Sequence, residues 1–133
     1  MKTFRLIQPV ILAAFLLINP PADAESEVEK AFDALKAQRE KNRGYFIDML
    51  LGAGIALDWA NITFKSKGQP PLYCVPQDVS LNGRSYADIA LQEFARRPQW
   101  YKHPLLEAYP NDVIVNALAY GLQTTFPCKP KIE

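Results

Sequence analysis

Apolar residues recur along this chain at spacings of three and four, and nowhere do they alternate over the length of a strand, which predicts an all-α fold. The first helix is expected from Ser26 to Asn42. Ser26-Glu27-Val28-Glu29 has the form of an N-terminal cap with acids in the first turn, Val28, Phe32 and Leu35 make one stripe, and Lys36, Arg39, Lys41 and Arg43 load the far end. That basic cluster reads as a solvated face suited to a helix C-terminus. Gly44 is the expected stop. A second helix follows from Tyr45 to Phe64, with Tyr45, Phe46, Met49, Leu50, Ala53, Leu57 and Ala60 on one stripe and Leu51, Ile55 and Trp59 widening it. A helix apolar on most sides is expected at the centre of a bundle. Gly52, Ala56 and Ala60 are placed to let another backbone approach, and Gly54 adds to this at some cost in helix propensity.

Lys65 to Asn82 is a connector, since Pro70, Pro71 and Pro76 exclude a helix there. Ser85-Tyr86-Ala87-Asp88 resembles a capping box opening a third helix to Arg97, with Tyr86, Ile89, Ala90 and Phe94 as its core stripe. A fourth helix runs from Pro110 to Thr125, with Val113, Ala117, Tyr120, Gly121 and Thr124 sharing a face and Ile114, Leu118 and Leu122 beside it. The architecture expected is a small four-helix bundle-like domain. Between its last two helices stands Pro98 to Tyr109, which holds Trp100, Tyr101 and the chain's one histidine, His103.

The N-terminus carries a different pattern. Lys2 and Arg5 precede an apolar run from Leu6 to Ile18, Asn19-Pro20-Pro21 breaks it, and Ala22-Asp23-Ala24 is an A-x-A site. Residues 1–24 therefore read as a signal peptide cleaved before Glu25, with 25–133 as one exported, periplasmic domain. Gln8 and Pro9 interrupt the run, which is too short to span a bilayer, so no membrane attachment is expected after cleavage. Two cysteines in an exported chain pair by default, so Cys74 and Cys128 are expected to form one long-range disulfide. In the chain-entropy account such a bridge contributes on the order of 4 kcal/mol.

Charge narrows the function. Fifteen basic and 14 acidic residues leave a formal charge of +1, and losing Lys2, Arg5 and Asp23 with the leader brings it to zero. That balance offers nothing to nucleic acid. His103 has no identifiable nucleophile or orienting acid. One histidine with scattered acids has no metal spacing, and Asp48 and Asp58 lie about 80° apart around a helix. Gly52-Ala53-Gly54 lacks the strand that would make it a phosphate loop. No enzyme, metal or cofactor is expected. Recognition remains: Trp100 and Tyr101, with His103, lie in a proline-stiffened segment of the kind that supplies rigid anchors to a protein partner. The competing reading makes the same residues a lid over the bundle.

The leader, the Gly-containing apolar helix from Leu51 to Trp59, Cys74-Val75-Pro76, Phe94 to Pro98, and Asn116-Ala117-Leu118 to Phe126-Pro127-Cys128 together resemble the Rap/Tai group of immunity proteins. The resemblance covers roughly Tyr45 to Cys128. It implies a helical periplasmic protein that binds a peptidoglycan amidase delivered by type VI secretion and occludes its cleft, often as a homodimer. Many members carry a second cysteine pair that this chain lacks. Two other readings stand beside it: a small periplasmic chaperone of the acid-stress Hde type, and a purely structural envelope protein.

Overall fold

The computed structural model describes residues 25–129, so the leader assigned to residues 1–24 lies outside the described residues. Within them the chain is all-helical. In order come α1 (Glu27–Lys41), α2 (Tyr45–Ser66), α3 (Gly83–Arg96), a short α4 (Pro98–Tyr101), a 3-10 turn (Pro104–Leu106) and α5 (Pro110–Thr125). The four long helices share one core, and the Cys74–Cys128 disulfide joins the connector to the chain beyond α5.

Helix α1 starts where its sequence directs. The Glu29 amide donates to Ser26 Oγ at 3.1 Å, and the Glu29 carboxylate accepts from the Ser26 amide at 3.3 Å. It ends two residues before Gly44, on Asn42 in the left-handed region at φ 50°. Gly44, at φ 135°, opens α2 instead. It has no side chain to cap that helix, and Gln38 of α1 does so, its Oε1 accepting from the Phe46 amide at 2.7 Å.

Helix α3 begins earlier than its Ser85-x-x-Asp88 pattern suggests. Asn82 is the cap, its Oδ1 accepting from the Ser85 amide at 3.0 Å. An amide oxygen three residues upstream outcompetes the shorter serine hydroxyl. Asp88, freed from capping, takes Arg39 in a forked pair at 2.5 and 3.2 Å. The basic end of α1 is thus partly tied to α3 rather than wholly solvated. Phe32 stacks on Phe94 at 3.9 Å across the same pair of helices.

The most extensive packing is between α3 and α5. It depends on Gly121, where a Cβ would meet the Ile89 carbonyl oxygen at 2.9 Å and Glu93 Cβ at 3.3 Å. Both helices bury most of their predicted stripes. Tyr86, Ile89 and Ala90 share one core with Val113, Ile114, Ala117, Leu118 and Leu122. Tyr120 and Thr124 of the expected α5 face are exposed.

The expected place of α2 at the centre is not what forms. It buries only Ile47, Leu50, Gly54 and Asn61, and Leu51, Ile55, Trp59 and Ile62 face outward. An all-round apolar helix is central only if neighbours exist on every side, and α1, α3 and α5 cover one side only. The close approach on α2 is at Gly54, where the Tyr86 ring occupies the place of a side chain, while the space over Gly52 is open. By length and composition α2 is the one helix among the described residues apolar enough to cross a membrane. Its inner face nonetheless holds polar partners. Asp58 accepts from the Tyr73 hydroxyl at 2.6 Å and the Tyr86 hydroxyl at 3.3 Å. Buried Asn61 donates to the Tyr73 carbonyl at 3.0 Å and accepts from the Leu72 amide at 2.7 Å, pinning the connector against α2. The Cys74 amide then reaches the Phe126 carbonyl at 2.8 Å beside the disulfide.

The two faces of α2 should respond differently to truncation. Leu50→Ala is expected to cost about 2 to 5 kcal/mol and Ile55→Ala no more than about 0.5 kcal/mol, read as denaturant midpoints. Equal losses would restore α2 to the centre. The tyrosines give a pH signature. Burial, reinforced by Asp58, raises the Tyr73 and Tyr86 phenols, Tyr86 to about 12. The folded chain then keeps protons that an unfolded tyrosine releases near pH 10, so this stabilisation is whole below about pH 10 and is lost as pH rises through about 12. Unfolding midpoints between pH 8 and 12 should fall accordingly, and more shallowly in Asp58→Asn.

Candidate partner-binding site

Ile89 and Glu93 of α3 both lie against Gly121, and Arg97 reaches Thr124 further along α5 at 3.2 Å, so the two helices run in the same sense at their contact. A connection between such helices has to travel back. The Pro98–Tyr109 segment does so, as α4, a 3-10 turn and a strap held at several points. Pro98, expected to end a helix, starts α4 at its first position, where a missing N–H costs nothing.

Trp100 and Tyr101 are neighbours with opposite fates. Trp100 is 53% exposed and Tyr101 only 3%. Tyr101 is therefore not a protruding anchor. Its ring packs near Phe94, and its hydroxyl donates to Glu93 Oε1 at 3.1 Å. Burial and the Glu93 charge push its phenol above the ordinary tyrosine range. The reason is helical geometry: consecutive residues point about 100° apart, so α4 can bury one and must show the other.

Glu93 organises this corner. Its side chain is wholly buried and paired with Arg97 at 2.6 Å and Arg96 at 3.3 Å, in addition to the Tyr101 hydroxyl. The Arg97 guanidinium lies 4.2 Å from the Trp100 ring centroid, a cation–π contact that braces the indole from behind. Arg97 Nε has no hydrogen-bond partner, and that guanidinium is held by one terminal nitrogen, which reaches both Glu93 and Thr124, and by the ring.

The strap is tied to α1 as well. Glu107 accepts from the Glu27 amide at 2.7 Å and the Val28 amide at 3.4 Å, placing a carboxylate at the positive end of α1. Lys102 pairs with Glu29, which holds that carboxyl below its usual range together with the Ser26 cap. His103 is exposed, and its Nδ1 accepts from the Leu105 amide at 3.2 Å, so it caps the 3-10 turn locally. Between strap and α5 lies an open cavity of about 280 Å³, lined by Trp100, Tyr101, Leu106, Val113, Asn116 and Tyr120.

The site is thus Trp100 beside a shallow, largely apolar cavity on a pinned segment. Leu105, Tyr109 and Tyr120 are further large exposed apolar side chains, on the strap and the neighbouring α5, that the sequence reading did not single out. The signal was present for the first two, which lie in the segment already marked as unusual. Tyr120 reads as core by its spacing. Chemically the surface offers apolar contact and a few hydrogen bonds. Asp48 and Asp58 do not converge, because Asp48 is exposed and Asp58 faces the two tyrosines. Among the described residues no three or more His, Cys, Asp and Glu gather to hold a metal.

No family model matches this chain, and neither does any curated protein or any solved structure.

The brace should be separable from the anchor by stability. Glu93→Ala, which strands Arg97 and Tyr101, is expected to cost about 3 to 5 kcal/mol. Tyr101→Phe should cost about 1 to 3 kcal/mol by removing one of the two partners of a buried carboxylate oxygen, which keeps Arg97. Trp100→Ala should lose no more than about 1 kcal/mol, the scale of the cation–π contact. Urea unfolding of the three variants checks this, and the reverse order would make Trp100 a lid.

Proposed function

We propose that this chain is a periplasmic immunity protein of the Rap/Tai kind, which binds a type VI-secreted peptidoglycan amidase and blocks its cleft sterically. The observation that carries the reading is Trp100, more than half exposed on a segment fastened at both ends. An anchor that is rigid before binding loses little conformational freedom on docking, and aromatic residues with a backing contact make effective hot spots. Leu105, Tyr109 and Tyr120 supply further apolar contact area in this reading. The disulfide suits a compartment outside the reducing cytosol. Inhibition by occlusion asks no chemistry of the inhibitor, only shape and a stable scaffold.

The test is binding of the disulfide-bonded protein, recovered from the periplasm with Glu25 as its first residue, to purified amidases encoded beside its gene. One tight partner is expected. Trp100→Ala should weaken that complex by at least about 2 kcal/mol, roughly thirtyfold, with the unfolding midpoint little changed. Failure to bind any such amidase would remove the function. Promiscuous capture of unfolded proteins below about pH 4, where carboxylates protonate, would replace it with the acid-stress chaperone reading.

A further inference from the structure

Asp58 is a half-buried negative charge that the fold leaves without a positive partner. It makes no ion pair with any described residue. Its partners are two neutral hydroxyls, Tyr73 on one carboxylate oxygen at 2.6 Å and Tyr86 on the other at 3.3 Å. A carboxylate offers about four lone pairs, so each oxygen keeps one to spare. Hydroxyls complete hydrogen bonds without neutralising charge. Both phenols are buried, and burial together with Asp58 raises them, so they stay donors.

Asp58 lines a cavity of about 380 Å³ between α2, the start of α3 and the connector. One wall is a turn, closed by the Val79 amide donating to the Pro76 carbonyl at 3.1 Å. Val75, Val79 and Leu81 give the cavity apolar sides, and Gln77 and Ser80 add an amide and a hydroxyl. No lysine, arginine or histidine is among the residues that line it. From Gln69 to Asn82 the connector carries a single charged residue, Asp78, and that one is acidic too. Lys65 stands seven residues along α2, about 10 Å away, and lines a different cavity. Arg84 is about 200° round α3 from Tyr86. The chemistry narrows the ligand. Among the described residues no second and third acid, His or Cys join Asp58 to hold a metal. Apolar sides leading to one acid fit a hydrocarbon stem with a cationic head. A primary ammonium has three donors, enough for the spare lone pairs of Asp58 and for a neutral acceptor on Gln77 or Ser80.

We propose that the cavity between Asp58 and the Pro76–Val79 turn is a binding site for a primary alkylammonium group, carried by a free aliphatic amine or by a lysine side chain. Asp58 takes the charge, and Val75, Val79 and Leu81 take the stem. Trp100 lines a separate cavity, so this site holds whether or not the partner there is an amidase.

Titration of the disulfide-bonded protein with n-butylammonium chloride, followed by amide NMR shifts, is the test. The Gln77, Val79 and Ser80 amides should shift saturably, with a dissociation constant of about 1 to 10 mM for so small a probe. Butanol, which keeps the stem without the charge, and potassium chloride at equal ionic strength should give no saturable shift. Asp58→Asn should weaken binding at least about tenfold. Gln77→Lys, at an exposed position, should do the same by supplying an ammonium from the chain itself, with the unfolding midpoint unchanged. Nα-acetyl-lysine methylamide then identifies the source, and either result supports the site. Binding as tight as that of butylammonium assigns it to lysine side chains, and binding at least about tenfold weaker assigns it to free amines. The absence of a saturable shift with butylammonium overturns the proposal, as does an equal response to butanol or potassium. So does undiminished affinity in Asp58→Asn, or in Gln77→Lys where Asp58→Asn fails to fold.

Discussion

A glutamate carboxylate removed from water has to be compensated where it sits, and Glu93 is compensated from three directions. Arg96 and Arg97 lie one turn onward, and Tyr101 comes from the next helix. A buried ion pair of this kind adds little net stability over an apolar core, but its loss of one partner is severe. Its effect here is to specify geometry. It ties the end of α3 to α4 through the Tyr101 hydroxyl, and the arginine it holds lies behind the Trp100 ring. The candidate site is downstream of this one carboxylate.

The same logic holds the other long connection. The Lys67–Asn82 stretch has no helix or strand to satisfy its backbone, and Asn61 and Asp58 on α2 provide polar partners for it. The Cys74–Cys128 bridge then fastens it to the end of α5, with Cα atoms 4.9 Å apart. A chain this short buries a modest core, so cross-links and polar pins carry a larger share of the stability than they would in a larger domain. Both irregular segments are held by side-chain contacts with helices, the connector through Asn61 and Asp58 and the strap through Glu107 and Lys102.

Hydrophobicity on α2 illustrates a conflict between local and global demands. The helix is apolar on nearly every side, yet three other long helices are too few to enclose it. The packing settles on the face that contains Leu50 and Gly54, because Gly54 alone lets the Tyr86 ring come flush against the backbone. What is left outside is a contiguous stripe, the feature of this molecule least explained by its own folding.

By itself the amino-acid sequence determined the four long helices, the core stripes of α1 and α3, most of that of α5, the Ser26 capping box and the cysteine pair. These rest on periodicity, caps within four residues, and the absence of any other thiol, all of which act locally or by elimination. It also marked Pro98 to Tyr109 as the segment to watch. Only the tertiary structure decided that Tyr101 is buried while Trp100 is not, that Asp88 answers Arg39 instead of capping α3, and that α2 lies at the side of the core. Each of those depends on what stands opposite a residue in space. Spacing along one helix places residues on a common face, but the neighbour that covers that face comes from residues dozens of positions away.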